Sequence, residues 1–250
     1  MCGFPPVHQV LGVAGRTTIA GGFLFTEQDV ASSKQALRQQ MRRQRRALSH
    51  DVLQKAAAGL ERQILQLRSF QRALHVGLYW PMHGEISPLG IMQHPRAVHK
   101  HFYLPILCGN FARSLRFAPF TGKEDWRVNR FRIPEPQVPP NQWRSAADLD
   151  LLIMPLVAFD AEGFRLGMGG GFYDRSLAHL SHRQRWRRPR LLGVGHAFQQ
   201  VTRVPREPWD IPLNIVCTEN ACLSFRASSM ERIPQPSLAP GTDHIIHIRQ

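Results

Sequence analysis

Leu149-Asp-Leu-Leu-Ile-Met-Pro-Leu-Val-Ala-Phe159, followed shortly by Arg165-Leu-Gly-Met-Gly-Gly-Gly-Phe-Tyr-Asp-Arg175, is the stretch that decides the fold class. The first run is apolar, strand-length and reads as a fully buried strand. The second places four glycines in five positions, Gly167 and Gly169 to Gly171. Such a backbone enters left-handed conformations at little steric cost, and its N–H groups can converge on an anion. Residues 172–186 read as a helix whose N-terminus faces the same anion. Strand, glycine cradle and helix start predict a phosphate-binding site. The glycines alone also fit a surface turn, but Phe172-Tyr-Asp-Arg175 sets an acid and a base just beyond them.

Outward from this segment, strands and helices alternate. Ser32 or Ser33 can cap a helix over residues 34–48, and Ser49 a second over 51–68. Strands are expected at 73–80, 101–107, 114–120, 190–197 and 214–218, with a short helix at 87–93. Residues 121–144, rich in Pro, Asn and Trp, read as a long loop over one face. The alternation predicts an α/β fold: a three-layer α/β/α sandwich with a mainly parallel central sheet. It is Rossmann-like without the dinucleotide fingerprint, since G-x-G-x-x-G would need glycine where Phe172 stands. No Gly-Lys-Ser/Thr of a Walker loop follows either. Ligands of such sheets bind at loops leaving the carboxyl ends of strands, here residues 81–85, 160–171 and 198–210. The expected organisation is a domain over 31–224, a poorly ordered extension over 1–30 and a flexible tail over 225–250.

Composition narrows the function classes. The 250 residues are 43% hydrophobic with 19 prolines, which fits a globular chain. No apolar stretch reaches the ~18–20 residues of a membrane span, so a soluble, cytoplasmic protein is expected. Cys2, Cys108, Cys217 and Cys222 show no metal-ligand spacing and read as reduced, mostly buried thiols. The net charge of +14 suits nucleic acid, anionic surfaces or polyanionic small molecules. It gathers at Lys34, Arg38, Arg42, Arg43, Arg45 and Arg46, and again at Arg183, Arg185, Arg187, Arg188 and Arg190. Neither cluster is interleaved with stacking aromatics, and much of the excess reads as solvated helix faces. Lys34 and Arg38, four apart on a helix, can grip one polyanion together. Asp174 is placed to hold a metal or to cap a helix, and Asp210, in Glu207-Pro-Trp-Asp-Ile-Pro212, either offers a second carboxylate or, as it reads alone, is a turn aspartate. Mg²⁺ favours one or two carboxylates alongside phosphate and water. Glu85, in Trp80-Pro-Met-His-Gly-Glu-Ile86, either accepts hydrogen bonds from a heterocycle or starts a helix.

Five motifs occur in order: Lys34-x-x-Leu-Arg38 with Arg42 and Arg45 behind it, Pro81-x-x-Gly-Glu85, Ile133-Pro-Glu-Pro136, Arg165 to Arg175, and Trp209-Asp-Ile-Pro212. Together, over residues 34–219, they resemble the 5-formyltetrahydrofolate cyclo-ligase family, also called 5,10-methenyltetrahydrofolate synthetase. The resemblance implies ATP as co-substrate, Mg²⁺, a reduced folate as substrate and no specific nucleic-acid or membrane partner; a monomer is expected. It implies catalytic roles for Lys34, Arg38 and Tyr173. ATP would meet Lys34, Arg38, Arg165, Leu166, Gly167, Met168, Gly169, Gly170, Gly171, Phe172 and Tyr173. The folate would meet Arg38, Glu85, Met168, Gly169, Gly170, Gly171 and Phe172, and the metal Asp174 and Asp210. The implied reaction phosphorylates the formyl oxygen and then closes the ring through nitrogen 10. Arg132 departs from the family pattern, standing where many relatives have glycine and some a tryptophan that lines the folate pocket. Phe172 replaces a frequent tyrosine. A basic nucleic-acid-binding protein on an inactive α/β scaffold is the alternative reading; a sugar-phosphate isomerase or acyl-transferase-like enzyme, acting without ATP, is a third.

Overall fold

The computed structural model describes residues 17–20, 23–108, 114–181, 188–207 and 210–225. The rest of the expected extension and tail, Trp209, and Arg183, Arg185 and Arg187 lie outside the described residues. Strands β1 (Thr17–Ala20) and β2 (Phe23–Thr26) pair antiparallel, within the segment expected to be poorly ordered. Helix α1 (Glu27–Arg46) follows directly. Its start lies before the expected residue 34 because 27–33 contain no glycine or proline to stop it, so Ser32 and Ser33 are interior rather than caps. Helix α2 (His50–Gln66) is capped as expected by Ser49, whose side chain accepts from the Val52 N–H. Helix α3 (Arg68–Arg72) leads into β3 (His75–Gly77).

Strands β4 (His101–Leu107) and β5 (Leu115–Pro119) come next, the first with the expected bounds. The expected loop over 121–144 instead contains a hairpin of β6 (Trp126–Val128) and β7 (Pro134–Pro136). The apolar run at 149–159 is two strands, β8 (Leu151–Pro155) and β9 (Ala158–Phe159), the chain turning just after Pro155, which lacks an N–H for the ladder. Strand β9 pairs with β10 (Arg165–Leu166), which feeds the glycine run and α4 (Phe172–Ser181). Strands β11 (Arg190–Val194), β12 (Ile215–Cys217) and β13 (Cys222–Ser224) complete the chain, β13 being unexpected.

Seven strands form one sheet in the order β13-β12-β11-β8-β3-β4-β5. The five from β12 to β4 are mutually parallel and only the two edge strands run antiparallel. Strand β8 is in the middle, which explains its unbroken apolar sequence: a parallel strand is covered on both faces. Leu151 and Ile153 pack toward Ala56, Leu60 and Ile64 of α2. Leu152 and Met154 face the opposite way, into a cluster containing Leu177 of α4. The chain runs from β3 outward to β4, then returns to β8 on the other side of β3. This reversal splays the loops after β3 and β8 apart and opens a crevice at their carboxyl ends.

Two expectations about single residues change. Cys217 and Cys222 are not reduced thiols. They face each other across β12 and β13 with Cα atoms 4.2 Å apart and form a disulfide, while Cys108 is free and exposed. Arg132, at the tip of the β6–β7 hairpin, has a φ of 60°. A β-carbon in that left-handed conformation costs about 1–2 kcal/mol, which makes glycine the residue best suited to this position. Arg132→Gly is therefore expected to stabilise the protein by roughly 0.5–1 kcal/mol after the entropy of glycine is subtracted. A melting temperature raised by about 1–4 °C would register it.

Candidate active site

The crevice is a cleft of about 630 Å³, within the range of small-molecule sites. Every residue from Arg165 to Asp174 lines it, together with Lys34, Arg38, Glu85 and Asp210. All the sequence-predicted site residues thus share one cavity. Their local geometry divides it into two ends.

At one end, α1 supplies cations to the glycine loop. The Arg38 Nε–H donates to the Gly167 carbonyl at 2.9 Å, and Arg42 reaches the Met168 carbonyl at 3.4 Å. Arg175 donates to the Gly170 carbonyl at 2.7 Å. With these carbonyls engaged by guanidinium groups, the N–H groups of Gly167 to Gly171 find no acceptor among the described residues. A run of unpaired N–H groups beside a helix start is the polarity that an anion needs. Gly169 has a φ of 96°, a conformation that strains any residue with a side chain, so the loop favours glycine there.

Carboxylates flank the same end. Arg165, its side chain only 7% exposed, donates to Asp174 at 2.6 Å and to the Ile211 carbonyl at 2.8 Å. It thereby ties the first turn of α4 to the segment after Asp210. Lys34 lies 3.5 Å from Glu207 and 3.9 Å from Asp210, and the Asp210 carboxylate accepts from the Glu207 N–H at 2.8 Å. Among the described residues no three metal-ligating side chains gather into a cage. Two aspartates on the wall of the cleft, each with a carboxylate oxygen left over, fit Mg²⁺ held jointly with substrate oxygens and water. Glu207 went unnoticed in the sequence as a site residue, although it stands in the motif that carries Asp210.

At the other end lies Glu85, in the loop after β3. One oxygen accepts from Arg45 at 3.2 Å and the other from the Met82 N–H at 3.0 Å. Burial raises its pKa, and the Arg45 charge and these hydrogen bonds pull it back down. The loop is fixed from behind: Tyr79 donates to the Ile86 carbonyl, and His196 Nε2–H donates to the Gly84 carbonyl at 2.9 Å. Since a carbonyl only accepts, the imidazole proton resides on Nε2. Gly84 has a φ of 79°, and a β-carbon there would meet the Arg45 carbonyl at 2.5 Å. Tyr173 rests nearby with its phenol pKa pushed well up by burial and by the Glu85 charge, so it stays neutral.

Arg45 itself corrects the reading of the α1 basic cluster as a solvated face: it is 1% exposed. The Arg132 position does not line the cleft; its neighbour Phe131 does, its ring edge-to-face with that of Phe172 and the two centroids 5.5 Å apart. Glu135 of the Ile-Pro-Glu-Pro motif holds this wall. It is buried and accepts from the Leu107 N–H at 2.8 Å, Arg127 at 3.0 Å and Asn129 at 2.9 Å.

The profile of the 5-formyltetrahydrofolate cyclo-ligase family matches residues 30–219. The chain belongs to that family. The cyclo-ligase match contains every cleft residue named above, from Lys34 to Asp210. The 5-formyltetrahydrofolate cyclo-ligase of Haemophilus influenzae is 35% identical over 182 residues, covering 72% of this chain and 94% of that protein. The cyclo-ligase of Escherichia coli is 34% identical over 178 residues, covering 71% and 96%. Among solved structures, the 5,10-methenyltetrahydrofolate synthetase of Aquifex aeolicus superposes with a TM-score of 0.65 at 28% identity, covering 85% of this chain and 99% of that one. The cyclo-ligase relatives are enzymes by name, and the Aquifex aeolicus structure shares the overall fold found here. No helix among the described residues is long and apolar enough to cross a membrane.

Proposed function

We propose that this chain uses ATP to convert 5-formyltetrahydrofolate to 5,10-methenyltetrahydrofolate, with release of ADP and phosphate. The observation that supports it is the two-ended cleft: unpaired backbone N–H groups and cations at one end, a buried carboxylate at the other. Glu85 accepts hydrogen bonds from the amino and amide donors of the pterin. The glycine loop, Lys34 and Arg38 hold the triphosphate, with its terminal phosphorus toward the formyl group. Asp174 and Asp210 would hold Mg²⁺, which when bound neutralises phosphate charge.

The formyl oxygen attacks the γ-phosphorus; the new O–P bond forms as the bond to ADP breaks. An amide-like oxygen is a poor leaving group until this has happened. Nitrogen 10 then attacks the formyl carbon and loses its proton, and phosphate departs with the former formyl oxygen. Phosphoryl transfer depends on positioned positive charge more than on covalent groups, which is what α1 contributes. Tyr173, neutral at working pH, serves as a hydrogen-bond donor rather than a base.

Formation of the methenyl product, followed by absorbance with and without ATP and with and without Mg²⁺, tests the reading. Product formation without ATP, or none with it, overturns it. Lys34→Ala is expected to raise KM for ATP about 10-fold or more, the worth of one hydrogen bond to a charged group. It also leaves Glu207 and Asp210 uncompensated beside the phosphates. An unchanged ATP dependence removes Lys34 from the phosphate site.

A further inference from the structure

We propose that Arg45 is a positioning residue for the folate end of the site: from α1 it keeps the Glu85 side chain ionised and aimed for the pterin. This rests on the assignment of Glu85 above and adds a residue that never touches substrate in its own right. Arg45 is 1% exposed and its NH1 group donates to Glu85 at 3.2 Å. Its NH2 group lies 4.0 Å from the Met168 sulfur, and its Nε has no partner among the described residues. A guanidinium kept in so dry a place is costly unless its charge is used. The charge it meets is a carboxylate that burial would otherwise push toward the neutral form.

The other ionisable groups around Glu85 do not replace it. Tyr79, at the end of β3, and Tyr173, on α4, are neutral phenols whose pKa values are raised. His196, behind the Gly84 carbonyl, has its pKa lowered by burial and is neutral at working pH. Arg45 is thus the cation in contact with Glu85 among the described residues. Without it, burial is left to favour the protonated carboxyl. A protonated carboxyl offers one acceptor fewer to the two pterin donors. The consequence is a folate affinity that depends on pH only when Arg45 is missing.

Arg45→Gln and Arg45→Lys in the full chain test this. For Arg45→Gln, KM for 5-formyltetrahydrofolate is expected to rise about 10-fold or more where the Glu85 carboxyl is protonated, and to fall back toward the wild-type value as the pH is raised and that carboxyl ionises. KM for ATP stays put, and wild-type and Arg45→Lys proteins show a flat folate KM over the same range. An Arg45→Gln defect independent of pH, or one shared equally by both substrates, overturns the proposal. A second readout does not need turnover. The carboxyl carbon of Glu85, followed by NMR of ¹³C-labelled protein and assigned with Glu85→Gln, should titrate higher in Arg45→Gln than in wild type. Equal midpoints overturn the positioning role whatever the substrate; a higher midpoint with no folate turnover in the wild type would instead count against the function.

Discussion

Asp174→Asn should lower kcat by about 10²–10³-fold, the cost of losing one group that stabilises developing charge in a closed site. The fold should survive. The Asp174 side chain is 55% exposed and its partner Arg165 keeps the Ile211 carbonyl. The pair is open to solvent on the aspartate side, so losing its charge costs on the order of 1 kcal/mol, or a melting shift under ~4 °C for a chain of this size. Asparagine also preserves an oxygen for Arg165, so the change isolates the negative charge. Raising Mg²⁺ should recover part of the activity if that charge binds metal. A kcat within about threefold of wild type would remove Asp174 from the chemistry.

Glu85→Gln is expected to act on both affinity and stability. KM for 5-formyltetrahydrofolate should increase about 10- to 100-fold, from the loss of hydrogen bonds to a charged acceptor. Unlike the Arg45→Gln defect, this one persists at every pH, because no carboxyl is left to ionise. The variant also leaves Arg45 buried beside a neutral amide. Breaking a buried pair on one side costs about 3 kcal/mol, which corresponds to melting roughly 6–12 °C earlier. Unchanged folate kinetics in a destabilised protein would make Glu85 a structural residue only.

Much of this architecture can be read in the chain because it is local. The strand at 101–107 and the Ser49 cap depend on periodicity and on one hydroxyl next to its own helix. The glycine run advertises its cradle through its own residue types. What escaped the sequence depends on partners far along the chain. The Ile133-Pro-Glu-Pro segment contains two prolines and looks like loop, yet Glu135 binds the Leu107 N–H 28 residues away and so pins a hairpin. Arg45 continues the helical stripe of Lys34, Arg38 and Arg42 and looks equally solvated; only the arrival of the β3 loop buries it. Cys217 and Cys222 carried a signal that went unused: a five-residue separation is what a tight hairpin needs to place two side chains opposite each other. In the cleft, the identities of the residues were visible, whereas the division into a phosphate end and a carboxylate end required the sheet reversal at β3 and β8.

Helix α1 runs along both ends of that cleft. Lys34 stands by the acidic pair and the phosphate loop, Arg45 by Glu85, and at 1.5 Å per residue the eleven steps between them span about 16 Å. Under the proposed function, that one helix sets the distance between nucleotide and pterin. The spacing of the two anchor points is fixed by helical pitch. On that reading, bringing the terminal phosphate to the formyl group is a matter of registration, with both partners clocked against the same helix.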